Sequence, residues 1–374
     1  MSSKQIHGNV FVGIDVHKRT YSITAVSEGR CVKSASMPAK FEVLLAFLRH
    51  NFPFANQIYS AYEAGFSGFG LHRFLVQNGV KNIVVHAASI EVEARSKVKN
   101  DKRDSKKIAI QLEAGRLTCI YIPSPQREQW RSVTRLRIQF VKHRSSISNQ
   151  IKSLLFYYSM LPSSHRSRTS KKWILSLLTL ENVDRDIFFC IQKHVESWLF
   201  YNGKIKEIDE QLKMQARLDF KVGEVYRKFR GIGFLTARVL ANELGDFSQF
   251  HSQLAAFSYT GLTPCEYSSG DKRYLGNISH QGNVFVRGIL IEVAWIAIEK
   301  NPQYKLIFDR IVKSTGSRKK AIVGTARRMI GHLRAEFKNS VSTEEEGKML
   351  KKSKFGASRQ IVAAGSVDPC SKGR

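Results

Sequence analysis

A chain of 374 residues with 43% hydrophobic content has material for two or three folded domains. Its 60 Lys and Arg against 31 Asp and Glu leave a net charge of +29, an excess that draws polyanions, nucleic acid foremost. No apolar run approaches a membrane span, no signal-peptide pattern opens the chain, and Cys31, Cys119, Cys190, Cys265 and Cys370 lack zinc-ligand spacing, so a cytoplasmic chain without membrane, disulfide or zinc framework is expected.

Val10, Phe11, Val12 and Ile14 have the pattern of a strand buried on both faces, and Asp15 interrupts it. Burying an unpaired carboxylate is costly, so such a residue takes a partner, a metal ion being the strongest. Taken alone, an Asp capping a surface turn is the plainer reading. Thr20–Val26 is β-branched and aromatic and completes a hairpin through Val16–Arg19. Cys31–Met37 suits a third strand, and Phe41, Leu44, Leu45 and Leu48 lie at helical spacing. Then follow a strand at Ile58–Tyr62 ending at Glu63, a helix at Phe69–Asn78, a strand at Val80–His86 and a helix at Ser105–Arg116. A hairpin followed by alternating helices and strands predicts an α/β layered sheet over residues 10–122.

The acids of this region fall into a pattern. Asp15 interrupts the first strand, Glu63 ends a later one, and Asp101 and Asp104 sit three apart where a helix begins. Sites in α/β sheets form outside the carboxyl ends of strands. Four hard oxygen donors there suit two Mg²⁺ or Mn²⁺ ions about 4 Å apart, an arrangement used on phosphodiesters. Helix capping is the alternative for Asp101 and Asp104. The neighbouring Lys97, Lys99, Lys102, Arg103, Lys106 and Lys107 suit a solvated face or a phosphate-binding rim.

Gly13-Ile-Asp-Val-His-Lys18, Tyr62-Glu-Ala64 and Lys99-Asn-Asp-Lys-Arg-Asp-Ser-Lys-Lys107 together resemble the RuvC-like, RNase H-fold domain of the DEDD transposases of the IS110 insertion-sequence family, with which the pilin-gene invertase Piv belongs. The resemblance implies that Asp15, Glu63, Asp101 and Asp104 are the catalytic, metal-holding acids. The family usually carries Ala after the last Asp; Ser105 departs from that, with no consequence expected.

Residues 123–222 read as helical and basic. Arg127, Arg131, Arg135, Arg137, Lys142, Arg144 and Lys152 interleave with Trp130, Val133, Leu136, Phe140, Ile147, Ile151 and Leu155. Ser163–Lys172 suits an exposed loop, and a second long helix is expected over Phe188–Leu218. Two long helices predict an antiparallel coiled arm, a candidate contact in a dimer or tetramer. The basic face suits nucleic acid, with Arg131 and Arg135 as candidates, or a solvated surface.

Residues 223–338 form the next expected domain. Gly231-Ile-Gly233 before an apolar helix resembles a helix-hairpin-helix, whose glycines admit a phosphate to a helix start; a plain helix-joining turn is the alternative. Gly261, Pro264 and Gly270 mark a loop presenting Ser268 and Ser269, with Lys272 and Arg273 beside them. Gly261-Leu-Thr-Pro264, Ser269-Gly270 and Gly282-Asn283 followed by Arg287 resemble the C-terminal transposase domain of the same family. That resemblance implies a serine nucleophile that becomes joined to DNA, Ser269 first and Ser268 as alternate. Activation of the serine is open: no Ser-His-Asp set is readable near it, although His280 lies eleven positions on. Ser317–Gly331 reads as a basic helix, and residues 339–374 as a disordered basic tail.

The sequence thus predicts an α/β RNase H-like N-terminal domain, a helical linker or coiled arm and a mainly α C-terminal transposase domain. The expected function is metal-dependent DNA cleavage and strand transfer by the transposase or site-specific recombinase of an insertion sequence. DNA is the expected partner, in a nucleoid-associated bacterial protein, and some members of the family add an element-encoded guide RNA. A RuvC-like endonuclease using activated water is the alternative enzyme, and a non-catalytic nucleic-acid-binding protein the alternative outside enzymes. A covalent protein–DNA adduct separates the first reading from both.

Overall fold

The computed structural model describes residues 6–87, 90, 101–161, 169–266, 275–279 and 281–363, and within these the side chains of 101, 102, 275 and 341–363 are not described. Lys99, Ser268, Ser269, Lys272, Arg273 and His280, and the side chain of Asp101, lie outside that set. The chain divides into two compact units, Met1–Pro123 and Ser124–Arg374.

The first unit is a five-stranded mixed sheet. Its strands are β1 (Val10–Val16), β2 (Thr20–Ser27), β3 (Arg30–Pro38), β4 (Ile58–Glu63) and β5 (Lys81–Val85), in the order β3-β2-β1-β4-β5. The β1–β2 and β2–β3 pairs are antiparallel hairpins, whereas β1–β4 and β4–β5 are parallel. Side chains alternate across a strand, and that alternation divides the unit into layers. Val10, Val12, Ile14 and Tyr62 join the apolar cluster with Leu44, Leu45 and Leu48 of α1 (Phe41–Asn51) and Leu71 and Leu75 of α2 (Gly70–Gln77). Ala61 and Val85 belong instead with Ile108 of α3 (Asp101–Glu113) on the opposite face.

Gly13 makes the second layer possible. A Cβ there would overlap the Ser105 carbonyl oxygen, come within 2.5 Å of the Ala109 nitrogen and within 3.0 Å of the Ile108 Cβ. Helix α3 therefore lies with its backbone directly on β1. Ser105, expected to be a neutral departure, is fully buried at this contact, and its hydroxyl lies 2.9 Å from that of Thr24 on β2. A buried hydroxyl needs such a partner, and Thr24 in turn lies 3.2 Å from Ser34. The backbone N–H of Gly29, in the β2–β3 turn, donates to Glu113 at the other end of α3. That turn stands at the amino end of β1, since Phe11 pairs with Val26. Helix α3 therefore runs opposite to β1, and its first turn points to the carboxyl ends of β1 and β4.

The second unit opens with an antiparallel pair of long helices, α4 (Pro125–Tyr157) and α6 (Arg185–Leu218). Arg127 bonds Asp219, Arg137 bonds Asp209, Arg144 bonds Asn202, and the Trp198 indole donates to Ser148, so one number falls as the other rises. At about 1.5 Å per residue each spans roughly 50 Å. The far end packs Ile151, Leu155, Ile191, Val195 and Trp198 against α5 (Lys171–Ser176) and the following 3₁₀ turn. Lys171 and Lys172, expected in a loop, begin α5, because Ser170 accepts from the Trp173 N–H and caps the helix.

The near end is built into the rest of the unit: α7 (Phe220–Arg227), α8 (Phe234–Leu244), α9 (Gln253–Thr260), the hairpin β6 (Pro264–Glu266) and β7 (Leu275–Ile278), α10 (Val284–Lys300), α11 (Pro302–Thr315) and α12 (Arg318–Ala363). Tyr226, Leu240, Leu244, Val286, Leu290, Ala297, Met329, Leu333 and Phe337 form its core. The tail corrects the sequence reading. Residues 339–363 continue α12 as helix. Glu344 and Lys348 stand four apart, Met, Leu, Lys and Glu favour helix, and no proline intervenes before Pro369. Residues 364–374 lie outside the described set.

Candidate active site

Ile14 pairs with Tyr62 across parallel strands, so the next residues, Asp15 and Glu63, stand side by side at the carboxyl ends, about 4.8 Å apart at the backbone. Alternation carries both onto the face covered by α3, two positions beyond Gly13 and Ala61. The Asp15 side chain is 22% exposed, with its Oδ2 3.1 Å from His17 Nε2. Glu63 is exposed. Asp104 lies in the first turn of α3, with Oδ1 3.5 Å from Lys107 Nζ. One end of the sheet therefore gathers Asp15, Glu63 and the helix turn that carries Asp101 and Asp104. Among the described residues no three acidic, histidine or cysteine side chains converge closely enough to hold a metal ion. The donors are nonetheless of the right chemistry: carboxylate oxygens suit a hard divalent cation.

In the second unit, Ser268 and Ser269 belong by sequence to the segment joining β6 to β7. The stem of that hairpin is defined by the Pro264–Ile278 register and by the Ser279 N–H bonded to the Thr263 carbonyl. The family-like glycines lie at its base, where Gly261 (φ +65°) and Gly282 (φ +88°) adopt conformations that glycine alone takes without strain. A Cβ on Gly261 would overlap the Gln281 carbonyl, and one on Gly282 would come within 2.5 Å of the Tyr259 carbonyl. Arg287 donates to the Gln281 carbonyl at 3.1 Å.

The basic candidates part company. Arg103 is exposed on α3. Arg131 and Arg135 are engaged by other residues of the second unit, the Arg131 side chain largely covered and the Arg135 side chain 41% exposed. Arg131 donates to the carbonyls of Asn242 and Glu243 at 2.8 and 2.9 Å, closing the carboxyl end of α8. Arg135 makes a fork with the fully buried Glu243 carboxylate, at 2.8 and 2.9 Å, and that bond holds its guanidinium further in the charged form. At these two positions the basic stripe of α4 also forms the joint between α4 and α8. Gly231 (φ +99°) packs against Ile296 of α10, whereas Gly233 is the open N-cap of α8. Sequence reasoning passed over Glu243, Tyr259 and His17. A lone acid in an apolar helix was the available signal for Glu243.

A family model described as transposase of the IS116/IS110/IS902 family matches residues 224–308, and a DEDD transposase model of the IS110 type matches residues 12–160. The chain is similar to y4qE of Sinorhizobium fredii, 28% identical over 76% of this chain and 71% of that protein. It is 29% identical, over 64% of itself and 70% of the relative, to the transposase for insertion sequence element IS1533 of Leptospira borgpetersenii. The corresponding element IS1111A of Coxiella burnetii has a transposase 27% identical over 52% of this chain and 54% of its own.

Proposed function

The chain belongs to the IS110/IS116/IS902 family of insertion-sequence transposases, and from that premise we propose that it cuts and rejoins DNA through Asp15, Glu63, Asp101 and Asp104 on an RNase H-like sheet and a serine nucleophile, Ser269 or its neighbour Ser268. The observation that carries the reading is the parallel pairing of β1 with β4, which sets Asp15 and Glu63 side by side where α3 begins. The four acids would hold Mg²⁺ or Mn²⁺; bound there, the ions polarise a phosphodiester and ease formation of the attacking alkoxide. The serine oxygen attacks phosphorus and gives up its proton, one DNA hydroxyl leaves, and a serine–phosphodiester forms. Attack by another DNA hydroxyl reverses the exchange and frees the serine, so the number of phosphodiester bonds is conserved.

DNA is the substrate in this reading, held by Arg103, Lys99, Lys272, Arg273 and the wider positive charge. The turn at Gly231-Ile-Gly233 is proposed to meet a phosphate as a helix-hairpin-helix does. In support, the first turn of α8 opens on a groove of about 630 Å³ bordered by Lys206 and Lys213. Asp209 and Glu210 border it too, engaged with Arg137 and Lys213. The long arm is proposed to join copies into a dimer or tetramer, and a guide RNA is a proposed second polyanion. Among the described residues no helix is long and apolar enough to cross a membrane; a cytoplasmic, nucleoid-associated site of action is proposed with the DNA substrate.

The test is strand cleavage by the full chain with and without Mg²⁺. Asp15→Asn and Glu63→Gln are expected to abolish cleavage while the protein still binds DNA. Full activity of Asp15→Asn in Mg²⁺ would remove the acids from the mechanism.

A further inference from the structure

We infer that Glu243, Asn283 and Tyr259 form a buried clamp that positions the serine-bearing hairpin, so that the geometry of the nucleophile depends on a carboxylate that never meets DNA. The inference rests on the serine reading above.

Glu243 is a fully buried carboxylate on α8. Leaving such a charge uncompensated is among the costlier things a fold can do, and here two arginines of α4 and one amide answer it, with Arg131 Nε 3.7 Å from Oε2. Arg135 supplies the fork described above, and the Asn283 amide donates to the Glu243 Oε2 at 2.8 Å. Asn283 uses each end of its side chain. Its Oδ1 accepts from the N–H groups of Phe285 and Val286 and starts α10, while its Nδ2 also reaches the Tyr259 hydroxyl at 3.1 Å. The Asn283 backbone N–H donates to the Tyr259 carbonyl at 2.7 Å.

These bonds close a ring around the base of the hairpin. The outgoing leg leaves α9 through Tyr259 and Gly261, and the returning leg enters α10 through Gln281, Gly282 and Asn283. Gly261 and Gly282 allow the two legs to touch backbone to backbone, and Arg287 is laid across them onto the Gln281 carbonyl. Both legs are therefore referred to one point, the Glu243 carboxylate, which Arg135 ties to the long helix α4. An ordinary core offers no reason to place a carboxylate there, since an apolar residue of similar volume would pack without desolvation cost. What the carboxylate adds is direction, because it accepts from Asn283 on one oxygen and from Arg135 on both. Glu243, Asn283 and Tyr259 are accordingly positioning residues, acting on the serine through the hairpin.

The experiment uses the full chain and reads three things: the rate of covalent protein–DNA adduct formation at saturating DNA, DNA affinity, and amide exchange in Thr263–Glu266 and Gly276–Ser279. Glu243→Gln presents a donor where an acceptor is needed. It is expected to slow adduct formation at least tenfold, change DNA affinity less than threefold and speed exchange in the stem. Tyr259→Phe, which removes one hydroxyl and keeps the ring, covers the case in which Glu243→Gln does not fold, and is expected to slow the rate with affinity kept. A folded Glu243→Gln at the wild-type rate, or a slowed one whose stem exchange is unchanged, overturns the clamp; so does a wild-type rate for Tyr259→Phe where Glu243→Gln does not fold. Absence of an adduct from the wild-type protein overturns the serine reading instead, and with it the catalytic meaning of the clamp.

Discussion

Replacing Gly13 by Ala tests how the acid-bearing helix is held. The added methyl has nowhere to go: its neighbours at 2.5 Å and closer are backbone atoms of Ala109 and Ser105, which cannot rotate aside. Ordinary contact needs about 3.5 Å, so α3 must lift from β1 by about 1 Å or more. Overpacking of this kind costs about 1–3 kcal/mol. Lifting also stretches the buried Thr24–Ser105 hydrogen bond, now 2.9 Å, whose loss adds about 1–3 kcal/mol. The expected destabilisation is about 2–6 kcal/mol, a large share of the stability of one unit. In urea this corresponds to a midpoint lowered by about 1 M or more, with faster hydrogen exchange in β1 and β4 to assign it to the first unit. Gly203→Ala is the control, since it lies in α6 with open space around it and is expected to be neutral or stabilising by up to about 1 kcal/mol. Because α3 carries Asp104, cleavage should fail in Gly13→Ala before the protein unfolds. A midpoint equal to that of the wild type would refute the close-packed layer.

Two further expectations follow from charge. DNA affinity should fall by orders of magnitude between about 50 and 200 mM salt, because a chain of net charge +29 binds largely through counterion release; a flat response would assign the basic residues another purpose. His332 lies 2.9 Å from the Tyr304 hydroxyl, whose pKa burial pushes up to about 12, while burial and then Arg328 hold the histidine below its ordinary 6.5. The unfolded chain therefore takes up that proton first, and stability is lost as pH falls below about 6.5. His332→Gln should flatten the change in Tm between pH 7.5 and 5.5, and an unaltered slope would contradict it.

The sheet was legible because its strands announce themselves twice, as β-branched runs and as runs bounded by turn residues. Asp15 stood out for the same reason, as a charge inside an apolar strand. The face on which it lies was not legible. That depends on Gly13 accepting the backbone of α3, a contact between segments far apart in the chain. Ser105 looked inert for want of the same knowledge, its partner Thr24 lying on another strand. Arg131 and Arg135 carry a second role that the sequence did not show. Their spacing along α4 gives a basic stripe, and only the fold reveals that Glu243 and the end of α8 sit opposite. The tail was read from composition, which registers charge and glycine but not the absence of proline before Pro369. The hairpin between Gly261 and Gly282 was visible as a loop, yet the residues that fix its base lie partly on α8.

The claim on which the account turns is that a serine becomes joined to DNA. Wild-type protein should yield an adduct that survives denaturation, mapping by mass spectrometry to the peptide that contains Ser268 and Ser269. Ser269→Ala should lose both the adduct and strand transfer while DNA binding stays near normal, with Ser268→Ala milder. Loss in Ser268→Ala alone would move the nucleophile by one position. Cleavage and joining at wild-type rates in both variants would contradict the serine mechanism and leave an acid-site nuclease that uses water.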